Sequence, residues 1–542
     1  MKPPHATPIP VSRPDRGGLR RLLWSLCAIC SLSSCGTLSA EDFDILVENA
    51  AIADGTGKPL FTGSIGIRAG RISAVGDARG SAKIRLDAKG QVVAPGFIDV
   101  HTHSEDICEI PVAENFLRMG VTTIITGNCG SSNTNVGEFL SHVERTRTAL
   151  NVATLIGHNS VRRRGMGGNF KRPPTDAELN QMKSQVDRAM REGAVGLSTG
   201  LIYLPGTFAG TDEIVELAKV VASYDGIYVS HMRSENTKIF DALEEFLRIA
   251  REARIRSQVS HIKLSAPTSW GRAAEVLGVL DRARGEGLAI THDNYAYTAS
   301  STGIAQLIPD SMREGTREDF AARVADPAKK ERIFKLMKET REKQGRADYH
   351  YAVIAQFAGD PRLNGKSIPE AARLLRGSDS IADQVETILE LELRGGASAV
   401  YHNMNEEDQK AFLTHPLTMV ASDGSPRVFG EAVPHPRSYG NNARVLGRFV
   451  REQKVMSLTE AVRRMTSLPS TTFDIKDRGE LRVGAWADVV VFDPEKVRDA
   501  STMDDPHHYA EGFSAVIVNG VPVILDGALT AERSGMAVRK GH

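Results

Sequence analysis

His101 and His103 close an apolar run that begins at Val92, and in an extended strand their i, i+2 spacing points both imidazoles to one side, where they can grip one metal ion. Four more short β-rich runs end in a residue able to hold a metal or carry a proton. Val121 to Thr126 leads into Gly127-Asn128-Cys129-Gly130; Ile227 to Ser230 ends at His231, Ser257 to Ser260 at His261, and Thr418 to Ser422 at Asp423. Any one of these histidines alone reads as an ordinary core or loop residue, and it is the recurrence at strand ends that argues for chemistry. His101, His103, Cys129, His231, His261 and Asp423 together offer the imidazole, thiolate and carboxylate donors that suit zinc, in greater number than one tetrahedral ion takes. The surplus implies two adjacent metal positions, or one occupied position beside a weaker one. Zinc brings the pKa of a bound water from about 15.7 to about 7. A carboxylate beside that water can take its proton and pass it to a leaving nitrogen, and Asp423 stands alone at its strand end for that task.

Strands that alternate with helical stretches and gather their polar residues at their carboxyl ends are most economically explained by a (β/α)8 TIM-type barrel, an α/β fold with its chemistry on one face. Val152 to His158, Val195 to Ser198 and Leu288 to Asp293 supply the third, fourth and seventh strands, and the five runs above bring the number to eight. The helical stretches between them are amphipathic: Asp212 to Ser223 places Ile214, Leu217, Ala218 and Val221 on one face. The barrel is expected over residues 95–475, with a charged, helix-prone insertion at about 299–351. Residues 41–94 and 476–542 carry short β-runs broken by turns, and are expected to build one small β-sandwich domain from both termini.

The chain has 542 residues with 67 basic and 67 acidic side chains, a balance that argues against a nucleic-acid partner. Residues 1–40 read as a leader: Arg20-Arg21 precedes an apolar stretch from Leu22 to Leu32 that is too short to span a bilayer as an anchor. Export is therefore expected, to the periplasm or to a lipid-anchored place at a bacterial envelope. Leu32-Ser33-Ser34-Cys35 resembles a lipobox, which would put a lipid on Cys35 as the only tie to a membrane, while Leu38-Ser39-Ala40 would serve an ordinary signal peptidase. Outside the leader only Cys108 and Cys129 remain, too few for a disulfide framework.

The run Pro95 to His103, the Gly-Asn-Cys-Gly turn, Ser230-His231-Met232-Arg233-Ser234-Glu235, Ser260-His261-Ile262-Lys263 and Ser422-Asp423-Gly424 together resemble the N-acyl-D-amino-acid deacylases, or D-aminoacylases, of the amidohydrolase superfamily. The resemblance extends over the whole body and implies a cysteine bridging the metal positions where many relatives use a modified lysine. It implies a tightly held zinc on Cys129, His231 and His261, and a weaker second position on His101, His103 and Asp423. It also implies that Tyr203, Lys263, Tyr295, Ser301 and Arg437 hold the substrate, cations and hydroxyls suited to an α-carboxylate. The expected function is zinc-dependent hydrolysis of small N-acyl-D-amino acids to a carboxylate and a free amino acid, with the hand given by the resemblance alone. The nearest alternatives are cyclic amides, as in hydantoinases and dihydroorotases, or dipeptides; a non-catalytic zinc-binding protein would be expected to lack Asp423.

Overall fold

Gly96 splits the apolar run that begins at Val92 between two parts of the molecule. In the computed structural model, which describes residues 42–541, the backbone at Gly96 passes so close to Thr122 that a Cβ would stand 2.2 Å from its Oγ1. The Gly96 N–H donates to the Asp488 carbonyl at 2.8 Å. Residues before this point belong to a terminal sheet and residues after it to the barrel. The leader and Cys35 lie outside the described residues, among which no helix is long and apolar enough to cross a membrane.

The N-terminal part supplies β1 (Phe43–Ile52), β2 (Phe61–Arg68), β3 (Arg71–Gly76), β4 (Ala82–Asp87) and β5 (Val92–Pro95). The barrel follows with β6 (Phe97–Asp99), β7 (Val121–Thr126), β8 (Asn151–Thr154), β9 (Ile156–Gly157), β10 (Gly196–Gly200), β11 (Ile227–His231), β12 (Arg256–Val259) and β13 (Ile290–Asn294). After an excursion carrying β14 (Ser300–Gly303), β15 (Ala352–Gln356) and β16 (Ser398–Tyr401), β17 (Thr418–Val420) is the last barrel strand. The C-terminal part adds β18 (Val489–Phe492), β19 (Phe513–Val518), β20 (Val521–Leu525) and β21 (Ala528–Leu529).

Two parallel arcs make the barrel, β6-β7-β8 and β9-β10-β11-β12-β13-β17. β8 and β9 are one strand interrupted at Leu155, whose N–H donates to Thr126 instead. The other seam, between β6 and β17, is joined by a bridge of Thr102 with Gly424 and by the Asp423 N–H donating to the His101 carbonyl at 2.9 Å. The buried Asp99 carboxylate stitches the same seam by accepting from the Ser422 and His101 N–H groups, and burial, only partly offset by those bonds, pushes it up to about 6. Short, wholly buried strands such as Val121–Thr126 are what a parallel sheet covered on both faces requires.

The two chain ends meet where β18 pairs antiparallel with β5, from Val489 opposite Pro95 to Phe492 opposite Val92. Strand alternation sends Val93, Val489, Val491 and Ile517 into a core shared with Ile45, Val47 and Ile65, while Val92, Ala94, Val490 and Val516 face the main core. Each such fully buried aliphatic side chain contributes roughly 1.5–3 kcal/mol, so the sheet is fixed from both sides. Asp488 ties it to the barrel, accepting from Asn151 Nδ2 and the Asn519 N–H and pairing with the buried guanidinium of Arg478.

The charged segment expected as an insertion at about 299–351 is the first half of a unit that continues to Tyr401. The reason lies in its pairing: β14 and β15 both lie antiparallel against β16, so neither completes a sheet until the chain reaches 398–401. Helices Arg317–Ala325, Pro327–Lys343, Ile368–Arg376 and Ile381–Leu393 cover this small sheet around a core of its own, which includes Ile304, Phe320, Ile333, Ile354 and Ile388.

Candidate active site and metal centre

Cys129 Sγ stands 3.4 Å from His101 Nε2, 3.6 Å from His231 Nδ1 and 3.5 Å from His261 Nε2, all buried. Zinc bonds of about 2.3 Å to sulfur and about 2.0–2.1 Å to nitrogen, set at a tetrahedral angle, put the two donor atoms about 3.6 Å apart. The donors are thus spaced as ligands of a shared ion can be. Cys129 belongs both to a triad with His231 and His261 and to one with His101 and His103, while Asp423 joins His101 and His261 in a third. The structure therefore brings together all six residues proposed as ligands from the sequence, with the thiol shared between two neighbouring groups.

Three of these residues sit in backbone that L-residues avoid: Cys129 has φ 51°, His261 φ 31° and Asp423 φ 51°. Each such residue costs of order 1–3 kcal/mol and persists only where its surroundings fix it. The turn at each strand end swings the side chain off the strand direction and into the centre.

Burial by itself would keep the Cys129 thiol protonated, but the imidazoles of His101 and His261 outweigh it and hold the group well below the usual thiol range. Asp423 behaves likewise: burial opposes its charge, yet Arg437 Nη1 at 2.9 Å from Oδ2 and His103 Nε2 at 3.1 Å from Oδ1 hold the carboxyl well below the ordinary carboxylate range. The Tyr295 phenol is pushed well above its ordinary value by burial, which the nearby Arg437 offsets only in part, so it remains a neutral donor. Its hydroxyl is buried without a hydrogen-bond partner.

A cavity of about 490 Å³ opens onto this centre, and His103, Cys129, Tyr203, His231, His261, Lys263, Ser301 and Asp423 all reach its wall. Tyr203 hydrogen-bonds through its hydroxyl to Thr302 Oγ1 at 3.2 Å, which ties the barrel loop after β10 to β14 of the insertion. Arg437 stacks over Tyr295 with its guanidinium carbon 4.7 Å from the ring centroid. It is buried just behind the wall, beside Asp423 and the carbonyl of Ser301. Of the five residues proposed to hold substrate, Tyr203, Lys263 and Ser301 line this space, Ser301 being contributed by the insertion, whereas Tyr295 and Arg437 stack on each other without reaching its wall.

Two buried carboxylates escaped assignment from the sequence. Asp293, at the end of β13, lies 3.5 Å from His101 Nδ1 and accepts from the His261 N–H at 2.9 Å and from Gln258. Glu235 stands 2.9 Å from His261 Nδ1 and 2.6 Å from Lys263 Nζ. A carboxylate on the far ring nitrogen fixes the tautomer and orientation of a metal-binding histidine. The available signal was Asp293 at a strand end and Glu235 four residues after His231. We expect Asp293→Asn, which keeps shape and an acceptor oxygen, to weaken zinc binding by about 10–100-fold in a chelator competition titration. An unchanged zinc affinity would refute the orienting role.

The model of the amidohydrolase family matches residues 86–524. An N-acyl-D-glutamate deacylase of Alcaligenes xylosoxydans xylosoxydans is 34% identical over 524 residues, 92% of this chain and 97% of that protein. A D-aminoacylase of the same organism is 31% identical over 526 residues, 92% of this chain and 98% of the relative. Among solved structures, the N-acyl-D-glutamate deacylase of Bordetella bronchiseptica, complexed with zinc and a phosphonate that mimics the tetrahedral intermediate, matches with a TM-score of 0.78 at 33% identity, covering 92% of this chain and 99% of that one.

Proposed function

The chain belongs to the amidohydrolase family, and within it to the N-acyl-D-amino-acid deacylases; from that premise we propose that it hydrolyses N-acyl-D-amino acids to a carboxylate and a free D-amino acid. The observation that carries this reading is the single thiol shared among three imidazoles, with an ionised carboxylate beside them at the floor of a cavity sized for a small molecule. Cys129, His231 and His261 would hold one zinc ion, and His101, His103 and Asp423 would frame a second, weaker position next to it. When bound there, zinc acts as a Lewis acid on a carbonyl oxygen and makes water acidic enough to attack at neutral pH.

The chain's own residues do the rest. Asp423 starts ionised, accepts a proton from the attacking water and delivers it to the amide nitrogen as the C–N bond breaks. His103 Nε2 and Arg437 Nη1 grip opposite oxygens of that carboxylate, which fixes where the proton travels. Lys263 and Arg437, with the unpartnered Tyr295 hydroxyl and Ser301, suit the substrate's α-carboxylate through charge-assisted hydrogen bonds. Anchoring that carboxylate orients the scissile amide and converts a bimolecular encounter into a positioned one.

The test is hydrolysis of paired N-acetyl-D- and N-acetyl-L-methionine by purified protein with and without added zinc. We expect zinc-dependent turnover of the D-substrate with the L-isomer slower by roughly 100-fold or more, since the wrong hand cannot seat carboxylate and amide together. Protein that binds zinc and turns over neither isomer would refute the reading. A cyclic amide cleaved in preference to both would move it to the hydantoinase class.

A further inference from the structure

The cavity's charges divide unevenly between the substrate's own carboxylate and its side chain. Lys263 on the wall and Arg437 behind it are the cations beside the metal donors, and each already faces a carboxylate: Lys263 Nζ is 2.6 Å from Glu235 Oε1, and Arg437 Nη1 is 2.9 Å from Asp423 Oδ2. An α-carboxylate is the one further anion this pair can meet.

The part of the wall built by the insertion and its flank carries Gln306, Leu307, Gln344, Tyr351, Tyr401 and Asn403. All six are uncharged. Asn403 is engaged, its carbonyl accepting from Trp270 Nε1 at 3.2 Å and its Oδ1 from Ser300 at 3.2 Å, and the Tyr401 hydroxyl donates to the Gly303 carbonyl at 3.0 Å. Gln306 and Gln344, by contrast, have no side-chain hydrogen bond to any described residue and can offer donor and acceptor to a guest. Arg346 stands directly behind this wall, held by two residues that line the cavity, Tyr351 and Ser265. Its guanidinium carbon lies 3.6 Å from the Tyr351 ring centroid, and its Nη2 donates to the Ser265 carbonyl at 3.0 Å.

Resting on the deacylase reading above, we infer that this chain selects N-acyl-D-amino acids with uncharged side chains and rejects those with acidic ones, although it shares 34% identity with an N-acyl-D-glutamate deacylase. An acidic side chain entering the insertion's part of the pocket gives up its water and finds amides, phenols and a leucine, while Lys263 already faces Glu235 and Arg346 is stacked behind Tyr351, and a buried carboxylate without a counter-charge is strongly disfavoured. A side-chain amide of the same shape loses far less, because Gln306 and Gln344 can satisfy it.

The test compares kcat/KM for N-acetyl-D-glutamine and N-acetyl-D-glutamate, which are isosteric and differ in charge, on the zinc-loaded full chain, with N-acetyl-D-methionine alongside. The expected result is turnover of glutamine and methionine derivatives, with glutamate slower by roughly 100-fold or more. Placing a cation in the wall by Gln344→Lys should then raise the glutamate-to-glutamine ratio at least tenfold, a ratio that partial misfolding does not move. Equal rates on the two substrates within threefold would overturn the inference while leaving the deacylase reading intact. If Arg346→Met abolished such glutamate turnover, Arg346 would be the side-chain receptor and the inference would be overturned for that reason. Failure of all three D-substrates would overturn the deacylase reading itself, and the inference with it.

Discussion

Replacing Cys129 with alanine is expected to strip the protein of its tightly bound zinc and of its amidohydrolase activity together. The sulfur is the one donor common to two neighbouring triads, 3.4–3.6 Å from His101, His231 and His261. Without it, the tight position keeps only His231 and His261, too few for a structural or catalytic zinc site, which takes at least three protein ligands. The loss should therefore exceed the about 10–100-fold expected when an outer carboxylate is removed. Metal analysis after gel filtration should fall from about one zinc per chain to a small fraction of one. Circular dichroism should stay near wild type, because the barrel core does not depend on a side chain of this size and alanine fits the same turn. A Cys129→Ala protein that keeps a full complement of zinc would refute the bridging role.

Asp423→Asn should produce the opposite dissociation, with zinc retained and turnover lost. Asp423 is absent from the triad of Cys129, His231 and His261, so the metal content should remain close to one per chain. Asparagine keeps the shape and one acceptor for Arg437 or His103, but it can neither take up a proton at neutral pH nor return it to the leaving nitrogen. General acid–base groups supply about 10²–10⁴-fold in rate, and a fall in kcat of that size is expected with a smaller change in KM. Retention of more than a tenth of wild-type kcat by a zinc-loaded variant would show that another group moves the proton. The two variants form a pair: one separates metal from protein, the other separates proton transfer from metal.

Much of the site was legible because a parallel barrel turns position in a strand into position in space. A ligand type at the end of each of several β-runs announces a ring of side chains at one face, whatever the intervening sequence, and His101, Cys129, His231, His261 and Asp423 all arrived there. The positive φ values at Cys129 and Asp423 fall beside glycines, in Gly127-Asn128-Cys129-Gly130 and Asp423-Gly424, residues that tolerate tight turns, whereas nothing in Ser260-His261-Ile262 marks the one at His261. The extent of the insertion was less legible. Its first half is charged and helical, but the strand that completes its sheet, Ser398–Tyr401, follows two further helices and carries no sign of its partners.

By itself, then, the sequence determined the fold class, the eight strand positions and the identity of the six metal-ligand candidates, since these depend on local periodicity and on residue type. Only the tertiary structure decided which of those donors share one thiol, that Asp293 and Glu235 stand behind the histidines, that Arg437 grips Asp423, and that the insertion's wall is uncharged. The shared thiol is a meeting of residues far apart in the chain: Cys129 meets His101 across 28 positions, His231 across 102 and His261 across 132. The physical reason is that periodicity specifies which face of an element is buried, whereas pairing at a distance of 3 Å is set by strand register and loop closure, which no local stretch of sequence records.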